Sequence, residues 1–195
     1  MVEVSHINIA AALSGYVVPP LLPVNLLRVV PLVSSTMSLQ WAVDEYQFLS
    51  SWMEPSYRSQ ADALLPAWFK TWAAQSSTVL FTTFPWSAGA GITNLWLLRN
   101  SSFSLGFPFG SGSSSSAVAI SGNGIAKTWY AAGVFFAFAH MFFGPKALGL
   151  LKKIREGEPA GRPTTSLATW LKMHTIRAFV ADLPAVICFA IAASS

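Results

Sequence analysis

The sequence predicts an all-α protein: a four-helix transmembrane bundle with an amphipathic interfacial helix in the first loop. Three observations predict it. Hydrophobic residues make up 53% of the 195 and charged residues only 10%, against roughly 25% charged in an average soluble domain. The charges are clustered, with six of the twelve basic ones crowded between Lys146 and Lys172. Four apolar stretches recur, each near the ~20 residues that a helix needs to cross a ~30 Å hydrocarbon core. Soluble core helices keep a polar face, and stretches two to four show none. The chain therefore reads as one integral, multi-pass membrane domain over residues 1–195.

The first stretch, residues 7–33, contains Pro19, Pro20, Pro23 and Pro31. Prolines free backbone carbonyls, and hydrocarbon offers them no partner, so this span must be broken against other protein or a polar cavity. Glu3 and His6 stand where a signal peptide would carry positive charge, so the stretch reads as a retained span. In the first loop, Leu39 to Leu49 reads as the interfacial helix, with Trp41 and Tyr46 as aromatic anchors or as a lid over a substrate. The second stretch, residues 73–98, is interrupted by Pro85 and a run of small residues at 87–91. A Ser/Gly-rich loop follows at 100–127, and its Asn100-Ser101-Ser102 sequon makes Asn100 a glycosylation candidate. The third and fourth spans cover residues 126–145 and 171–193. Trp72, Trp96, Trp129, Tyr130 and Trp170 fall near the proposed ends, where aromatic belts sit.

The loop after span three holds Lys146, Lys152, Lys153, Arg155 and Arg162, so the positive-inside rule places it in the cytosol and both termini in the lumen or outside. An endomembrane such as the endoplasmic reticulum fits that orientation. The net charge of +4 comes without a basic face interleaved with stacking aromatics, which excludes nucleic acid as a partner. The expected partners are the lipid bilayer and a hydrophobic small molecule, and a chain this small leaves room for a homo-oligomer. A single cysteine, Cys188, allows no internal disulfide. The sequence has no Walker loop, dinucleotide fingerprint, metalloprotease motif or nucleophile elbow.

Charged groups inside a bilayer cost several kcal/mol and ask for a reason. The fourth span holds His174, Arg177 and Asp182; the third holds His140; the first holds Asn25 and Arg28; Gln75 opens the second. On an α-helix Arg177 lies about 60° to one side of His174 and Asp182 about 80° to the other. By the topology above, these groups converge on one half of the bundle. The functional reading makes His174, Arg177, His140 and Asp182 catalytic, with imidazole as acid/base and guanidinium as anion stabiliser. Arg28, Asn25, Gln75, Trp41 and Tyr46 would then contact substrate. The alternative is an Arg–Asp pair that only holds helices together, with the remaining basic groups snorkelling. Two arginines at the same depth argue against a metal, and no cofactor is implied.

The residues that carry a family resemblance are a proline-bearing first span, Leu39-Gln40-Trp41 followed by Tyr46, Gly144-Pro145-Lys146 closing the third span, and Trp170-x-x-x-His174-x-x-Arg177 opening the fourth. In these the chain resembles the small fungal four-span membrane proteins related to anthrone oxygenases of aromatic polyketide pathways. The resemblance implies cofactor-independent, monooxygenase-like oxidation of a hydrophobic aromatic substrate, in which the deprotonated substrate itself passes an electron to dioxygen. A non-enzymatic membrane scaffold or accessory subunit is the competing reading, and a transporter, favoured by the broken first span, is a third.

Overall fold

The structure, a computed structural model, describes residues 24–100 and 115–195. Side chains are described from Leu26 to Arg99 and from Gly124 onward. Pro19, Pro20, Pro23, residues 101–114 of the Ser/Gly-rich loop and the side chains of Asn25 and Asn100 lie outside the described residues; the rest of the expected loop, from Ser115, is helical.

Among the described residues every element is helical. Helix α1 covers Val24–Ser50, and two short 3-10 turns, Ser51–Met53 and Pro55–Tyr57, lead into α2, Arg58–Asn100. Helix α3, Ser115–Ala139, passes through a 3-10 turn, His140–Phe143, into α4, Gly144–Arg155. Helix α5, Pro163–Arg177, passes through a π turn, Ala178–Asp182, into α6, Leu183–Ser194. The result is an all-α bundle of four rods. Three of them, Leu26–Met53, Gly124–Arg155 and Pro163–Ser194, are long and apolar enough to cross a membrane. Large apolar side chains cover the outside, with Phe142 84%, Phe81 74% and Phe135 64% exposed. An outer surface of this kind marks a membrane protein.

The 43-residue α2 is long enough to cross as well, but its hydroxyl residues lower its hydropathy. Many of those hydroxyls return to their own helix: Ser77, Thr82, Thr83 and Ser87 bond to the carbonyls of Ala73, Thr78, Val79 and Thr83 at 2.7–3.1 Å. Such back-bonding hides polarity that a composition count records in full.

Leu39–Leu49 is helical, as expected, but it forms no separate interfacial helix. It continues α1 without a break, and Ala42, Glu45 and Leu49 are buried on its inner side. Pro31 does not end that helix. Its missing N–H leaves the Leu27 carbonyl without an intrahelical partner, and Asn94 Nδ2 of α2 donates to that oxygen at 2.9 Å. Tyr130 of α3 donates its hydroxyl to the Arg28 carbonyl, one residue on, at 2.8 Å. At Pro31, the one proline of that span among the described residues, the expected need for other protein is met by these two side chains.

Two apolar cores lie at opposite ends of the bundle. One gathers Leu49, Leu65, Phe69, Ile154, Leu167 and Trp170 where α1, α2, α4 and α5 meet. The other centres on Phe189, with Ala126, Tyr130, Ala185 and Ala192. Here small residues let helices approach: a Cβ added to Gly133 would fall 2.6 Å from Phe189. The third loop is shorter than expected, since α4 extends to Arg155 and α5 begins at Pro163. Gly157, at φ +72°, ends α4 in a Schellman turn, with Glu158 N–H to Lys153 O and Gly157 N–H to Ile154 O. Asp62 of α2 then caps α5, accepting from the Thr164 N–H and hydroxyl at 3.1 and 2.7 Å.

Candidate functional site

Between the two cores a set of polar side chains meets one cleft. Asp182 is its centre. His140 Nδ1 lies 2.7 Å from Asp182 Oδ1; a carboxylate accepts, so Nδ1 carries the proton that joins them. Arg177 Nε lies 3.3 Å from Asp182 Oδ2, an ion pair whose alignment falls short of a directed hydrogen bond. On a regular α-helix Arg177 and Asp182 would point about 140° apart at 100° per residue. The π turn between them inserts an extra residue into the ladder and brings both onto one side. Pro184 contributes to that turn, since it cannot donate to the Val180 carbonyl four residues back.

Glu45 is the second anchor. It is 6% exposed, and its Oε1 accepts from Trp41 Nε1 at 2.9 Å and from the Ser76 hydroxyl. Its other oxygen lies 3.7 Å from His174 Nε2. His174 is 1% exposed; it stacks on Trp170 with ring centroids 4.4 Å apart and donates from Nε2 to the Ala42 carbonyl at 2.9 Å. That bond ties α5 to α1.

The cleft has a volume of about 200 Å³. Trp41, Glu45, Ser76, His140, Trp170 and Arg177 line its polar end, and Leu80, Phe81, Phe143, Leu148 and Leu151 are among its apolar walls. Phe81 and Leu148, 74% and 67% exposed, mark a mouth between α2 and α4 on the bundle's apolar outer face. Behind His140 lies a separate hole of about 20 Å³, bounded by Ser35, Ser38, Ser87 and Asp182. It is roomy enough for one water. Among the described residues no group of three or more His, Cys, Asp or Glu side chains is arranged to hold a metal ion.

The sequence-predicted residues divide accordingly. His140, Asp182, Arg177 and Trp41 come together. His174 joins them from behind the cleft wall, whereas His140 lines the cleft. Arg28 stands apart, about 25 Å from Glu45 along α1 at 1.5 Å per residue. Gln75 and Tyr46 are exposed and do not line the cleft. Asp182 has the basic partner expected of it, in Arg177. Glu45, Ser38 and Trp72 escape the sequence reading, because a first crossing at residues 7–33 leaves them in the loop that follows. The signal was present in the i, i+4 spacing of Trp41 and Glu45.

No family model matches the chain, and no solved structure matches it. Curated relatives do. The chain is 36% identical over 172 residues to the epoxidase pydX of Acremonium sp, covering 88% of this chain and 94% of that protein. It is 35% identical over 170 residues to the probable epoxidase scpX of Mollisia scopiformis, covering 87% and 95%. To the epoxidase gkaX of Penicillium citrinum it is 32% identical over 171 residues, covering 88% and 94%.

Proposed function

The chain belongs to the family of fungal biosynthetic-cluster oxidases that includes these epoxidases, and from that premise we propose a membrane-embedded oxygenase of secondary metabolism. It transfers oxygen from dioxygen to a hydrophobic, polyketide-type substrate, with a carbon–carbon double bond as the acceptor. The observation that carries this reading is the meeting of His140–Asp182, Arg177 and Glu45 at one end of an otherwise apolar cleft.

Each group has a role that its surroundings support. His140, its Nδ1 fixed by Asp182, turns Nε2 to proton transfer. Arg177, held by Asp182 through Nε, keeps its terminal N–H groups for an oxyanion developing on substrate or peroxide. In a poorly hydrated cleft that attraction is stronger than in water. Glu45 accepts a hydrogen bond from a polar group of the substrate, while the apolar walls hold the rest. Dioxygen is apolar and needs no binding group. What the reading keeps of anthrone oxygenases is this economy: a deprotonated substrate held as an anion passes the first electron to dioxygen, with no cofactor. The carbon hydroperoxide that results gives one oxygen to the double bond and keeps the other as a hydroxyl on the substrate, so no outside reductant is consumed. The mouth between α2 and α4 admits such a substrate sideways from the bilayer. We place α2 as the fourth span, the Lys146–Arg162 end in the cytosol and both chain ends in the lumen of an endomembrane such as the endoplasmic reticulum.

The test is to purify the protein into nanodiscs and offer it polyene and enol-bearing polyketide-type substrates, with and without NADPH, under isotopic dioxygen. The expected result is label in an epoxide or its opened diol, without need of NADPH. Turnover that requires NADPH would replace the cofactor-free part of the reading. No label in any product would favour the scaffold instead.

A further inference from the structure

Four of the eight tryptophans form a continuous run of rings. Trp170 stands 6.4 Å from Trp72 edge to face, Trp72 stacks 5.8 Å from Trp68, and Trp68 lies 5.1 Å from Trp52. The inner end is in the site, since Trp170 and Trp72 line the cleft and His174 stacks on Trp170. At the outer end Trp68 is 37% exposed. Packing alone explains this choice of residues poorly. The Trp170 Nε1 is buried with no hydrogen-bond partner, a cost that phenylalanine or leucine would avoid.

Indole is among the most readily oxidised side chains, and electron exchange falls off steeply with distance. Rings in contact exchange an electron far faster than an enzyme turning over at about 10 per second. We infer that Trp170, Trp72, Trp68 and Trp52 form an electron path from the cleft to the surface, which drains misdirected oxidising equivalents from the site. The path stands on the ring geometry; what it drains rests on the oxygenase reading above. A peroxyl radical formed in the cleft from substrate and dioxygen takes one electron from Trp170. It becomes a peroxide anion, which water protonates. Trp170 is refilled from Trp72 and Trp72 from the outer pair. The exposed indole regains its electron from a thiol or ascorbate-type donor, oxidised by one electron.

The path is tested without turnover by irradiating the nanodisc protein with 9,10-anthraquinone, a flat apolar photo-oxidant, and mapping oxidised tryptophans by peptide mass spectrometry. In the wild type the marks should concentrate on Trp68 and Trp52. In Trp72→Phe they should fall there and rise several-fold on Trp170. The same pattern in both proteins, or marks dominated by Trp86 and Trp96 outside the run, would overturn the path. Under turnover, Trp68→Phe should keep the initial rate but inactivate after several-fold fewer cycles. Equal lifetimes would refute the protective role. If the protein oxygenates nothing, the oxygenase reading falls while the photo-oxidation result still decides the path.

Discussion

Replacing Glu45 by glutamine keeps an oxygen that can accept from Trp41 and Ser76 but removes the charge facing His174. The variant should remain folded and lose at least about tenfold in turnover. Glu45→Ala leaves two donors without their acceptor and should also lower stability, by about 1–3 kcal/mol per orphaned group, read as a fall in melting temperature. The two imidazoles separate in the same assay. His140→Ala should reduce turnover by about 10²-fold or more, whereas His174→Phe keeps the stack on Trp170 and should retain most activity. The reverse ranking would return His174 to the cleft. Asp182→Asn removes the partner of a buried guanidinium and should destabilise by about 3–5 kcal/mol. The sequence made this cluster partly legible, because charged residues in apolar runs demand partners. It did not distinguish a histidine that lines a cleft from one behind its wall, which depends on helix rotation.

Helix α1 shows how an element is misplaced by its own prolines. Read alone, Pro31 argues for a break, and hydropathy then favours a crossing that ends at 33. The structure carries the helix through because Asn94, sixty-odd residues away in sequence, accepts the consequence of the missing N–H. No local pattern reveals that bond. Asn94→Leu should therefore destabilise the bundle by about 1–3 kcal/mol, the cost of an unpaired buried carbonyl. The packing of α3 on α6 is set by absence of side chain instead. Gly133→Ala forces a Cβ against Phe189, and overpacking of this kind costs about 1–3 kcal/mol. Combining it with Phe189→Leu should recover much of the loss in a thermal unfolding assay.

The molecule as a whole is polarised. Its α1–α2 and α4–α5 turns share one end, and Arg58, Lys152, Lys153, Arg155 and Arg162 are exposed there. In sealed endoplasmic-reticulum vesicles, whose cytosolic face is outward, cysteine placed at Gly157 should react with membrane-impermeant reagents before permeabilisation. Labelling only after permeabilisation would invert the orientation. This polarity was legible from charge counting, as were four rods and the all-α class, because both follow from composition over long windows. The cleft was not, because it forms where four rods fail to fill space.

The π turn at Ala178–Asp182 also bears on how lengths vary among relatives. A helix with one residue more than its ladder needs can lose one without disturbing what flanks it. Deleting Val180 would convert the stretch to regular α-helix and leave the arginine and aspartate four apart, about 40° in angle, still on one side. A homologue shorter by one residue here would thus carry the same ion pair, and a gap in its alignment would record an ancestral insertion rather than a lost site.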